Sequence, residues 1–208
     1  ILTGNGKSFC AGADLTWMKK MVTYSQEENK KDSRLLLDMY ESIHSCPKPV
    51  LGRINGAAFG GGIGLLAVCD ISITVPEVTF AFSEVKLGII PAVISTFVAS
   101  RMTPAAMRRL FITGERFDSA TAQKIGLLDI IVAPEKLDEA INSCIEQVHS
   151  SGPHAIKEVK HLIYNLQKMD IKEYKEFAGE KISELRVSQE GQEGIKGFLE
   201  KRKPSWRK

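Results

Sequence analysis

The sequence predicts an α/β fold followed by a helical C-terminal part, and three observations predict it. Short apolar runs of β-branched character stand at 50–54, 71–75 and 78–82. A helix-period stripe of Leu36, Met39, Tyr40 and Ile43 precedes them at i, i+3, i+4, i+7. After Pro134 only helical patterns remain, over 135–149 and 153–169. Strands alternating with helices bury a sheet on both faces, the hallmark of the α/β class.

Taken in order, Ile1-Leu2-Thr3 reads as a strand end, followed by a glycine-bearing loop from Gly4 to Gly12. Asp14 is placed to cap the helix that follows. Residues 26–46 read as an amphipathic helix, stopped by Cys46-Pro47-Lys48-Pro49 because proline lacks an amide and disfavours helix in its predecessor. Val50–Ile54 reads as a strand, Gly56–Gly64 as a glycine-rich turn into a helix over Ile63–Cys69, and Ile71–Val75 and Val78–Phe82 as two further strands. Thr103-Pro104 is a cap-and-N1 pair, and Asp118 caps a short helix at 118–125. In the segment 153–169, Ala155, Val159, Leu162, Ile163 and Leu166 share one face. We expect two parts, an α/β core over 1–134 and a helical region over 135–208 too thin to fold alone, which packs on the core or on a neighbouring subunit.

The 208 residues carry 28 Lys and Arg against 25 Asp and Glu, a net charge of +3, with 43% hydrophobic and 25% charged residues. That composition excludes disordered, collagenous and disulfide-stapled classes. The charge is too small to point to nucleic acid. Cys10, Cys46, Cys69 and Cys144 form no CxxC pair, and His44, His149, His154 and His161 form no HExxH pattern. Reduced thiols and no metal site are expected. The longest apolar stretch, Phe59 to Cys69, is interrupted by glycines and too short to span a bilayer. The chain opens Ile1-Leu2-Thr3-Gly4 without a methionine, as if cut in mid-strand.

Three segments are candidates for chemistry. In Ser8-Phe9-Cys10-Ala11-Gly12-Ala13-Asp14-Leu15, small residues let a ligand approach the backbone, and the Ala11 amide can donate to an anion. A plain strand-to-helix turn capped by Asp14 explains the same residues, and spacing alone favours it. In Asn55-Gly56-Ala57-Ala58-Phe59-Gly60-Gly61-Gly62-Ile63-Gly64, a glycine run costs conformational entropy and is kept where backbone must approach something closely. Close helix packing is the competing explanation. No Gly-Lys-Ser/Thr follows, so this is not a P-loop. Glu84 stands among apolar neighbours in Phe82-Ser83-Glu84-Val85-Lys86-Leu87-Gly88. Desolvation there favours a raised pKa suited to acid–base work. A surface turn pairing Glu84 with Lys86 is the alternative.

Together these segments resemble the crotonase (enoyl-CoA hydratase/isomerase) family. The matching stretches are Phe9 to Leu15, Asn55 to Gly62, Cys69-Asp70-Ile71, Phe82 to Pro91 and Phe198-Leu199-Glu200-Lys201-Arg202, in family order and spacing. The resemblance implies a fold of stacked ββα units whose first strands are missing here, and C-terminal helices used for assembly as a homotrimer or a hexamer. It implies acyl-CoA substrates, with coenzyme A as part of the substrate and no separate cofactor. It implies that the amides of Ala11 and Gly61 form an oxyanion hole, that Ala11, Gly12, Ala13 and Asp14 line the CoA path, and that Phe198 and Lys201 reach CoA. Preorganised donors at a developing enolate are worth roughly 3–4 kcal/mol each. A cytoplasmic setting is expected, or a mitochondrial one if a targeting segment precedes Ile1.

One departure bears on the reaction. Hydratases of the family place two glutamates around the attacking water; one matches Glu84 and the other falls at Gly64. The segments Gly62-Ile63-Gly64-Leu65 and Phe80 to Ser95 resemble bacterial methylglutaconyl-CoA hydratases and their isohexenylglutaconyl-CoA relatives. A Δ3-Δ2-enoyl-CoA isomerase working with one glutamate is the second reading, and a catalytically inactive member a third. The basic tail of Lys201, Arg202, Lys203, Arg207 and Lys208 around Trp206 is read as a solvated terminus or a helper for CoA phosphates, with nucleic acid not expected. Trp17, Met18 and Met21 read either as an acyl pocket or as an apolar helix face.

Overall fold

The strands are short, and the first six come in sequential pairs whose two members join different sheets. The computed structural model describes residues 1–166 and 168–207. Strand β1 (Leu2–Thr3) is followed by β2 (Ser8–Cys10), then helices α1 (Leu15–Met21) and α2 (Gln26–His44). Strand β3 (Leu51–Ile54) is followed by β4 (Ala57–Phe59) and helix α3 (Gly61–Ala67). Strand β5 (Ile71–Thr74) is followed by β6 (Phe80–Ala81), a 3₁₀ turn over Ser83–Leu87, and helix α4 (Ala92–Ala99). Helix α5 (Pro104–Thr113), β7 (Arg116–Phe117), α6 (Ser119–Lys124) and β8 (Ile130–Ile131) complete the sheets. The first strand of each ββα unit lies in an all-parallel sheet of order β1-β3-β5-β8; the second lies in a sheet of order β2-β4-β6-β7, where only β7 runs antiparallel.

The sequence expectation missed β2, inside the Gly4–Gly12 loop, and β4, inside the glycine turn. Both are three residues long, and Ala57-Ala58-Phe59 carries no β-branched residue; pairing with neighbours makes them strands. Helix α2 starts on a full capping box, Ser25 with Glu28, and ends at His44 before the prolines. The helix expected over 153–169 runs Pro153–Leu166, and Gln167 lies outside the described residues.

The chain divides into two compact units, 1–46 with 50–141, and 142–208 with 47–49. In the first, Ile54, Ile63, Leu66, Phe80, Phe82, Val98, Leu110 and Leu127 are fully buried around the sheets. Thr74 Oγ1 donates to the Ile54 carbonyl at 2.7 Å, satisfying a buried hydroxyl. Asp129 ties the far edge together: its Oδ2 accepts from Ser72 N and Ser72 Oγ at 2.7 Å each and from Arg101 Nη2 at 2.5 Å. Arg101, its side chain 13% exposed, also donates to the Cys69 carbonyl at 2.6 Å. Asp129→Ala strands a half-desolvated guanidinium and a buried serine. It is expected to lower unfolding free energy by about 2–3 kcal/mol, read from the urea midpoint at unchanged slope.

The second unit holds the end of α7 (Leu137–His149) with α8 (Pro153–Leu166), α9 (Ile171–Val187) and α10 (Gln189–Leu199). The Glu190 carboxylate accepts the first amides of α8, His154 N at 2.9 Å and Ala155 N at 2.8 Å. Along the predicted stripe of α8, Val159, Ile163 and Leu166 are exposed in the single chain. All four cysteines are free thiols, as read from their spacing. Among the described residues no helix is long and apolar enough to cross a membrane, and no group of three or more His, Cys, Asp or Glu side chains converges on one point.

Candidate active site

Three neighbouring parallel strands, β2, β4 and β6, end side by side, and each delivers one of the three candidate segments. The crevice beyond the C-terminal ends of parallel strands is the usual ligand position in α/β sheets. Asn55 sets up this alignment. Its Oδ1 accepts from Gly4 N at 2.9 Å and Thr3 Oγ1 at 3.2 Å, while its Nδ2 donates to the Gly6 carbonyl at 3.0 Å. The loop before β2 is thereby tied to the corner before β4.

Ala11, Gly12 and Ala13 form the exit from β2. Asp14 closes it as the N-cap of α1, its Oδ1 accepting from Trp17 N at 2.9 Å. The capping role read from spacing is thus what this side chain does in the chain alone. Trp17 donates from Nε1 to Asp32 at 3.0 Å, and no residue of α1 is fully buried.

Gly60 leaves β4 with φ +51°, a left-handed conformation that favours glycine. Its amide donates to the Ala81 carbonyl at 3.0 Å, fastening it to the end of β6. A Cβ on Gly60 would lie 3.3 Å from Glu84 Oε1, so the carboxyl stands directly against this backbone. A Cβ on Gly62 would lie 2.7 Å from the Cys10 carbonyl oxygen, which seats the first turn of α3 on the end of β2. The glycine run is therefore forced by one left-handed dihedral and two close approaches. The amides of Gly61 and Gly62 belong to the first turn of α3 and have no helical carbonyl four residues back to bond.

Glu84 sits in the 3₁₀ turn after β6. Among the described residues its Oε2 is buried with no hydrogen-bond partner, which removes the surface pairing with Lys86 as its role. Burial pushes its pKa up from the ordinary glutamate value, opposed in part by its own backbone amide. An unpartnered buried carboxyl oxygen is costly to keep, and such groups concentrate where chemistry is done.

The Gly64 position is filled rather than open. A Cβ there would run into Ile94 Cγ2 and would lie 2.9 and 3.0 Å from ring carbons of Tyr40. Tyr40, read from the sequence only as part of the α2 stripe, donates from its hydroxyl to the Gly61 carbonyl at 2.8 Å. Burial first, and then the nearby Cys10 and Glu84, push its pKa up to about 12, so it is a neutral donor. The sequence carries one unread signal for it, the pair Gly61 and Gly64, three apart, which leaves one face of α3 bare for a bulky neighbour.

Phe198 and Lys201 lie in the second unit at the end of α10, Phe198 being 83% exposed and Lys201 holding φ +55°. In the basic tail, Arg202 is bound to Glu193 through 2.8 and 3.0 Å contacts and to Glu200 at 2.6 Å. The Arg202 guanidinium and then the Ser205 amide pull Glu193 down to a pKa of about 2. Trp206 packs over Gly194. Arg202 and Trp206 are thus held on α10, and Lys208 lies outside the described residues.

A family model described as enoyl-CoA hydratase/isomerase matches residues 1–208. A putative enoyl-CoA hydratase of Thermus thermophilus is 31% identical over 204 residues, covering 98% of this chain and 81% of its own. A short-chain-enoyl-CoA hydratase of Clostridium acetobutylicum is 33% identical over 205 residues, covering 98% and 77%. A crystal structure of an enoyl-CoA hydratase from Shewanella pealeana superposes with a TM-score of 0.92 at 40% identity, covering 97% of this chain and 76% of that one.

Proposed function

The chain belongs to the enoyl-CoA hydratase/isomerase family, and from that premise we propose that it is a hydro-lyase adding water to an α,β-unsaturated acyl-CoA, with 3-methylglutaconyl-CoA or a related branched glutaconyl-CoA as substrate. The observation that carries the reading is Glu84: a carboxyl oxygen buried and unpartnered, against the glycine backbone where β2, β4 and β6 end. The branched substrate rests on the likeness of Gly62–Leu65 and Phe80–Ser95 to methylglutaconyl-CoA hydratases.

In this reading the amides of Ala11 and Gly61 bind the thioester oxygen. Glu84 as carboxylate takes a proton from water while the water oxygen bonds to the β-carbon. The electron pair of the double bond moves onto the thioester oxygen as an enolate, which the amides stabilise. Glu84 then returns its proton to the α-carbon and the thioester carbonyl reforms. One carboxyl serves both transfers, so no second glutamate at position 64 is required. Gly12, Ala13 and Asp14 lie along the CoA path, and Phe198 and Lys201 close on CoA within a homotrimer or a dimer of trimers.

A Δ3-Δ2-enoyl-CoA isomerase is the second reading, favoured by the occupation of the Gly64 position by Ile94 and Tyr40. Crotonyl-CoA, 3-methylglutaconyl-CoA and a 3-enoyl-CoA are supplied in turn and products identified by mass. Addition of water to the branched glutaconyl thioester, with kcat/KM at least about tenfold above crotonyl-CoA, is the expected result. Double-bond migration without a gain of water would establish the isomerase instead.

A further inference from the structure

We infer that Tyr40 is a positioning residue of this reaction, its hydroxyl fixing the glycine backbone that receives the thioester oxygen. The inference rests on the oxyanion reading of Gly61 above. Tyr40 is the buried residue of α2, 4% exposed, with the Phe97 ring 5.7 Å away. Its ring lies across the face of α3 left bare by Gly61 and Gly64; a Cβ on Gly61 would stand 2.9 Å from its hydroxyl oxygen. Packing alone at this place asks for a ring without a hydroxyl. The hydroxyl is instead spent on one carbonyl, that of Gly61, at 2.8 Å.

That carbonyl lies in the one segment where backbone freedom does most harm. Three successive glycines sample conformations that other residues cannot, and an oxyanion site needs its donors already in place. The peptide unit is planar, so holding the Gly61 oxygen also holds the Gly62 N–H and removes one of the two soft dihedrals of Gly61. The hydroxyl is neutral throughout the working pH range, so it sets the strength of the site and not its pH dependence.

Tyr40→Phe keeps the ring and removes only the anchor. The test compares two ligands on the full chain: acetoacetyl-CoA, whose enolate places negative charge on the thioester oxygen, and saturated butyryl-CoA. The variant is expected to bind acetoacetyl-CoA about tenfold more weakly and butyryl-CoA within about twofold of the parent, with kcat falling about tenfold and the pH profile unmoved. Equal weakening of both ligands, or no change in either, overturns the inference, since a packing role gives one of those results. Should the parent protein bind neither thioester, the oxyanion reading itself fails and this inference falls with it. Replacement of Tyr40 by 3-fluorotyrosine keeps ring and hydroxyl and makes a stronger donor. It is expected to bind acetoacetyl-CoA at least as tightly as the parent, and weaker binding overturns the assignment even if the phenylalanine variant does not fold.

Discussion

Glu84→Gln is expected to lower kcat at least about a thousandfold while leaving KM within about threefold. The substitution keeps the shape of the side chain and removes its capacity to take a proton. The glycine backbone beside it is untouched, so binding of the thioester survives. The same substitution is expected to stabilise the fold at neutral pH. Burial raises the pKa of Glu84 in the folded chain, so the folded state holds the proton more tightly than the unfolded state does. The stability that this group contributes is present below the ordinary glutamate pKa and is lost as pH rises through the raised value. At neutral pH the parent therefore carries an ionisation penalty that glutamine does not. The advantage of the variant in a denaturant titration should shrink as pH falls through the raised value and be gone below the ordinary glutamate pKa. Activity of the parent should in turn fall as pH drops through an inflection above that range, where the carboxylate becomes protonated. Near-normal turnover of Glu84→Gln on methylglutaconyl-CoA would sink the assignment of Glu84.

Gly64→Glu, which writes the missing family glutamate back in, is expected to damage the protein and not to improve it. Helix propensity alone favours almost any residue over glycine in α3 by up to about 1 kcal/mol. Sterics decide otherwise: the new Cβ collides with Ile94 Cγ2 and crowds the Tyr40 ring at 2.9 and 3.0 Å, in a core with no room to yield. A loss of about 3 kcal/mol or more is expected, a fall in Tm of roughly 10 °C for a chain of this size. Combining it with Ile94→Ala should recover part of the loss, because the two side chains compete for one volume. Full stability together with faster hydration in the single variant would mean that the site relaxes to accept a second carboxylate, and that Gly64 is not held by its neighbours.

These two residues also mark how far the sequence could be read. Glu84 was legible as a carboxyl in apolar company, and the glycine run as a close approach, but each kept a plain structural alternative. The alternatives separated only in three dimensions. Asp14 is a helix cap, as local spacing suggested, because capping depends on residues three apart. Glu84 is not paired with Lys86, because its direction depends on β6 ending beside β4. Gly64 read as a gap in a motif, while in the fold it is the space taken by Ile94 and Tyr40. The strands β2 and β4 escaped notice for the same reason: three residues without β-branching become a strand only when a neighbour supplies the ladder.

The α/β class, the caps at Asp14, Thr103 and Asp118, the stop at Pro47 and Pro49, and the segments of bare backbone are thus legible along the chain. Those properties are set by local periodicity, by the missing amide of proline and by the missing side chain of glycine, all of which act within a few residues. Three-dimensional packing alone brings three segments scattered from Ala11 to Glu84 to the ends of adjacent strands, leaves the buried carboxyl oxygen without a partner among the described residues, and sets a tyrosine from α2 on the Gly61 carbonyl. Contacts between residues tens of positions apart are fixed by strand order and packing, and no local pattern in the chain encodes them.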